Sequence, residues 1–148
     1  MARFDTGQTI GLLCAAATSL WLLASPAQAG ELDVKAQHIA PGSGSIHVVL
    51  YRGAAGFRHE DRAFRVLKAP ANSATASVRF EALPPGDYAV MVYHDANAND
   101  KLDLRFGMFP AEGWGLSNNP RVMGPPSFKA SKVTMDDQSK SIMIDLHY

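Results

Sequence analysis

The sequence predicts an all-β fold, an antiparallel β-sandwich of about seven strands. Three observations carry that expectation. Short stretches alternate apolar and polar residues with the period of two that sends successive side chains to opposite faces of a strand. Clusters of Pro, Gly, Asn and Asp punctuate those stretches as turns. No segment beyond residue 30 has the long 3.6-residue apolar period of an amphipathic helix.

Residues 1–29 read as a cleaved secretory signal peptide. Arg3 supplies a positive start, Ile10 to Ala24 is apolar but short for a membrane span, and Ala27-Gln28-Ala29 is an A-x-A cleavage site. Residues 30–148 then form a single domain. The only cysteine, Cys14, lies in the leader, so the exported domain carries no disulfide although export would permit one. Arg3 and Asp5 leave together, so the balance of basic and acidic residues stays neutral. Neutrality argues against a nucleic-acid partner and provides no basic patch for an anionic membrane. No second apolar run reaches spanning length. The expected location is the periplasm or the cell exterior.

The strands follow in order. Leu32, Val34 and Ala36 alternate in Glu31 to Ile39, the first strand. Pro41-Gly42-Ser43-Gly44 is a turn, and Ser45 to Tyr51 is a second strand with Ile46, Val48 and Leu50 toward the core. Two strands across so short a turn predict a hairpin. Arg52 to Arg65 is a polar connection whose Phe57 and Phe64 tuck against the core edge. Val66 to Lys68 and Ala74 to Phe80 are further strands. Pro84-Pro85-Gly86-Asp87 is turn chemistry, and Tyr88 to His94 is the central strand, apolar on both faces. Leu104 to Val122 is a long irregular loop, broken by Gly and Pro yet carrying Phe106, Phe109 and Trp114. Loops of that length in a compact domain are usually functional or specially packed. Phe128 to Met135, with a turn of helix at its start, and Ser141 to Tyr148 close the domain.

Chemistry concentrates where the central strand ends. Asp95, Asn97, Asn99 and Asp103 place carboxylate or amide oxygens at relative positions 1, 3, 5 and 9, with Lys101 at position 7. Calcium loops use this spacing, because alternate side chains fold inward on one hard cation and position 7 offers its backbone carbonyl. The match is partial. Asp100 stands where such a loop has Gly, and Phe106 where it has a bidentate Glu. Glu60, Asp61 or Glu112 could complete the set. The competing reading is an Asx-rich loop whose side chains bond only its own backbone.

A second polar group, Ser117, Asn118, Asn119 and Arg121, stands beside Trp114. Trp114 could stack on a carbohydrate or peptide ligand while Asn118, Asn119 and Arg121 supply hydrogen bonds; the alternative is that Trp114 caps the core and the asparagines satisfy loop carbonyls. Catalytic constellations do not assemble. Gly115-Leu116-Ser117-Asn118-Asn119 lacks the final Gly of a nucleophile elbow, and His94 and Asp95 leave a strand in opposite directions. His59-Glu60 begins a zinc-protease motif that ends in Ala63. His38, His47 and His147 sit singly on strands and read as surface or edge residues. The expectation is therefore not an enzyme.

Three segments read together carry a resemblance: PPGDYAVMVYHDANANDKLD, GWGLSNNPR and MGPPSFKASKV. The combination resembles a bacterial exported family known as domain of unknown function 2141, across about Leu32 to Leu146. That family usually has Gly at the position of Asp100. More loosely, L-P-P-G-D-Y before a strand is similar to transthyretin-like and collagen-adhesin B-type sandwiches. The resemblance implies a secreted or periplasmic sandwich, immunoglobulin-like or prealbumin-like, and carries over no catalytic residue. The functional expectation is a binding or structural module of the cell envelope, stabilised by calcium and meeting an envelope protein or carbohydrate. The alternative is a small-ligand binding protein using the Leu104–Val122 loop.

Overall fold

The computed structural model describes residues 29–121 and 123–148. The expected leader therefore lies outside the described residues except for Ala29, as does Val122 of the long loop. Two sheets pack face to face. The first has the order β10-β1-β4, from β1 (Gly30–Gln37), β4 (Thr75–Leu83) and β10 (Lys140–Asp145). The second has the order β3-β2-β5-β8, from β2 (Ser45–Arg52), β3 (Arg65–Pro70), β5 (Gly86–Asp95) and β8 (Trp114–Leu116). β9 (Lys132–Met135) pairs with the first half of β5, and β8 pairs with its second half, so the two short strands share one edge. A small separate hairpin joins β6 (Leu104–Arg105) to β7 (Phe109–Pro110), and α1 (Phe128–Ser131) is a single helical turn capped by the Ser127 hydroxyl.

The main core lies between the sheets. Leu32, Val34 and Ala36 of β1 meet Ile46, Val48 and Leu50 of β2 and Tyr88, Val90 and Val92 of β5. Each triplet is one face of a strand. β2 and β5 are buried on their other face as well. Val49, Tyr51, Ala89 and Tyr93 form a second cluster with Phe57 and Leu116, closed over by Phe128. Tyr51, Phe57 and Phe128 meet edge to face at centroid distances of 5.4 and 5.8 Å, a favourable aromatic arrangement. The Arg52–Arg65 connection thus forms a third layer over part of the second sheet.

The expected hairpin of the first two strands does not form. β1 and β2 lie in different sheets; β1 pairs antiparallel with β4 and parallel with β10. The turn chemistry at Pro41–Gly44 serves a crossing between sheets, and Ile39, buried just after β1, anchors its start. Both strands bury an apolar face, and that pattern alone does not say whether the faces belong to one sheet or to two opposing sheets.

The most specific segments of the sequence turn out to be joints. A Cβ on Gly113 would collide with the Tyr148 ring, and one on Gly115 with the Asp145 carbonyl. The two glycines therefore let β8 approach the C-terminal strand of the opposite sheet. Buried Ser117 accepts from the Val90 amide at 2.9 Å and donates to the Ser131 carbonyl. Tyr88, also buried, sends its hydroxyl back to the Pro84 carbonyl at 2.8 Å, locking the turn before β5.

Candidate metal-binding loop and the buried histidine beside it

β5 ends on Asp95, whose side chain is 0% exposed. Its carboxylate is held by the loop that follows: Oδ1 accepts from the Asn99 amide at 3.0 Å and Oδ2 from the Asp100 amide at 2.9 Å. Asn97 Oδ1 accepts from the Asn99 amide and Asn99 Oδ1 from the Lys101 amide, each at 3.1 Å. These side chains bond the loop's own backbone, the pattern of the Asx-rich reading. Ala98 and Asp100 adopt φ of 58° and 61°. Asp100 thus takes the left-handed conformation for which glycine is usual, a conformation Asp tolerates better than most residues.

Asp103 closes the other side. Its carboxylate accepts from Asn97 Nδ2 at 2.7 Å and from Asn99 Nδ2 at 3.0 Å on both oxygens. Those amides, Asn99 before Asn97, hold the Asp103 carboxyl below the usual carboxylate range. Of the three residues expected to complete the set, Glu112 reaches the loop. It accepts from the Ala96 amide at 3.0 Å and the Asp103 amide at 3.1 Å, tying the two ends together. Glu60 and Asp61 stand elsewhere.

Reading the sequence alone missed His47. It lies opposite Tyr93 in the β2–β5 register, and its side chain is 0% exposed rather than at a surface or edge. The reason is the third layer, which covers the face that β2 shows away from the main core. His47 Nδ1 lies 2.8 Å from the Tyr93 hydroxyl, which lies 2.8 Å from Glu60 Oε2. His47 Nε2 has no hydrogen-bond partner. It faces Asp95 Oδ2 at 3.5 Å and Asp100 Oδ1 at 3.6 Å. Lys68 Nζ pairs with the same Asp100 oxygen and holds that carboxyl below the usual range. Burial, then the bond to Glu60, pushes the Tyr93 hydroxyl well above the ordinary phenol value. The available signal was that Val49 and Tyr51, on the His47 face, are apolar too.

The second predicted group is also placed. Asn118 donates to the Ala130 and Lys132 carbonyls; Asn119 donates to the Met143 carbonyl and accepts from the Asp145 amide. Both adopt positive φ, and both clasp neighbouring elements. Trp114 pairs its backbone with His147, and its half-buried side chain lines an open groove of ≈ 520 Å³ with Asn119, Arg121, Asp145 and His147. On the small hairpin, Phe106, Met108 and Phe109 are exposed rather than packed. Among the described residues, no helix is long and apolar enough to cross a membrane.

The molecule is a β-sandwich whose central strand ends on a buried carboxylate at the head of a loop. The chain belongs to the family of uncharacterized proteins conserved in bacteria (DUF2141), whose profile matches residues 34–143. The matched span includes most of both sheets, the Asp95–Asp103 loop and Gly113 and Gly115. No curated protein and no solved structure matches the chain.

Proposed function

We propose that this protein is an exported, non-enzymatic β-sandwich, a binding or structural module of the cell envelope. Its Asp95–Asp103 loop takes up calcium, and the ion fixes the end of β5 and the segment behind it. The observation that carries the reading is Asp95, a fully buried carboxylate at the head of a loop whose Asn97, Asn99 and Asp103 oxygens alternate along the chain. Each Asp95 oxygen accepts one amide bond and keeps acceptor capacity for a cation. Asp95, Asn97, Asn99 and Asp103 supply side-chain oxygens and Lys101 its carbonyl.

Calcium loops of extracellular modules bind at roughly 0.1–1 mM. At about 1 mM calcium and a Kd of about 0.1 mM, linkage contributes about 1.4 kcal/mol, a rise in melting temperature of about 5 °C. Thermal melts of the full chain in EDTA, in calcium and in magnesium test this. A calcium-selective rise of that size is expected. Identical melts in all three conditions would leave a loop bonded only to itself.

Small-ligand binding is the second reading, favoured by the groove beside Trp114. Because Asn118 and Asn119 spend their amide groups on backbone, Trp114 and Arg121 are the side chains left to meet a carbohydrate or peptide.

A further inference from the structure

The hydrogen bonds around His47 determine which ring nitrogen carries a proton. Tyr93 has one hydroxyl hydrogen and donates it to Glu60, whose ionised carboxylate can only accept. The Tyr93 oxygen must therefore accept from His47, so Nδ1 is the protonated nitrogen. In the neutral imidazole, Nε2 then carries a bare lone pair. That lone pair is buried and unpartnered, and it points at two carboxylates. An acceptor aimed at acceptors is a costly arrangement unless something positive stands between them.

The distances indicate what that something is. A hydrogen-bonded imidazolium–carboxylate pair closes to about 2.7–2.9 Å. Here the two separations are 3.5 and 3.6 Å. A tetrahedral ion with bonds of about 2.0–2.2 Å sets its donor atoms about 3.3–3.6 Å apart. The three donor atoms lie within 4.8 Å of one another. We propose that His47 Nε2, Asp95 Oδ2 and Asp100 Oδ1 form a metal site for a divalent ion of the zinc class. One imidazole with two carboxylates suits zinc and its first-row neighbours better than calcium, which prefers oxygen alone. Asp100 is 71% exposed, so the site opens to solvent on that side.

The Glu60–Tyr93–His47 chain does for this imidazole what a carboxylate does for a zinc-bound histidine: it fixes the tautomer and the orientation of the ring. Lys68 is the built-in competitor, because its ammonium sits 2.5 Å from the Asp100 oxygen the ion needs. The site shares only the Asp95 carboxylate with the calcium reading. It uses the His47 side of the Asp95 carboxylate and neither Asn97, Asn99 nor Asp103.

Zinc titration of the EDTA-stripped full chain, read by competition with a chromophoric chelator, tests the proposal. One equivalent is expected to bind. His47→Gln and Asp100→Asn should each weaken it by about 100-fold or more, and Tyr93→Phe by about 10- to 100-fold. Lys68→Met should tighten it by about five-fold, because a competing charge has gone. Asp103→Asn should leave zinc binding unchanged. Should His47→Gln fail to fold, Asp100→Asn, at an exposed position, still decides. Absence of a stoichiometric site in the wild type would overturn the proposal, as would zinc binding that survives Asp100→Asn.

Discussion

Two buried histidines sit one residue apart in the same strand pair, and they are solved differently. His94 of β5 lies opposite Ile46; His47 of β2 lies opposite Tyr93. His94 has both ring nitrogens partnered, Nδ1 with the Tyr148 hydroxyl and Nε2 with the Ser43 carbonyl, each at 3.0 Å. Tyr148 also accepts from the Ala40 amide. His94 is thus a fastener between the end of β5, the crossing between sheets and the C-terminus. His47 has one nitrogen fastened and the other facing two carboxylates. Burial alone does not separate a structural histidine from a ligand. The fate of the second nitrogen does.

The largest effect in this region belongs to Asp95. Asp95→Ala strips the acceptor from two loop amides and should cost about 3 kcal/mol in metal-free buffer. Urea unfolding measures it, and a loss under about 1 kcal/mol would show that the loop holds without its head. Next come the histidines themselves. His94→Gln breaks bonds that already exist and should cost about 2 kcal/mol in EDTA. His47→Gln loses only the Tyr93 contact and should cost about half as much. Equal losses in parallel melts would erase the distinction between the two corners.

The smallest expected effect is the acid limb. Lys68 depresses the Asp100 carboxyl, and the Asn99 and Asn97 amides depress that of Asp103. A carboxyl held below its unfolded value of about 3.9 stabilises the fold above that pH and loses the contribution as pH falls through the lower folded value. Melting temperature should therefore hold down to about pH 4 and decline below it, with a shallower decline in Asp103→Asn. Both groups are exposed, so salt should weaken the trend.

The same contrast explains how much the sequence disclosed. The β5 strand and the oxygen-bearing loop after it are local, written in one continuous stretch from Tyr88 to Asp103; the strand forms as read, and the loop's side chains bond its own backbone, the second of the two readings offered for it. The depression of φ choices to glycine was a weaker guide, since Asp100 adopts the conformation anyway. What stayed hidden depends on distant partners. β1 joins β10 across most of the chain, in parallel, and a two-residue alternation carries no address for its neighbour. His47 looked like an edge residue because the groups that stand against it, Glu60, Tyr93, Asp95 and Asp100, come from segments distant in the sequence. GWGLSNN allowed two readings, a ligand corner or asparagines that satisfy backbone carbonyls, and its asparagines clasp backbone.

The two proposals meet at Asp95, whose carboxylate would be shared by two different ion sites, one on each side. Parallel titrations of wild type, Asp103→Asn and His47→Gln with calcium and with zinc, followed by thermal melting, test it directly. A double dissociation is expected: Asp103→Asn loses the calcium shift and keeps the zinc shift, and His47→Gln does the reverse. Variants that lose both shifts together, or a wild type that responds to neither ion, would contradict it.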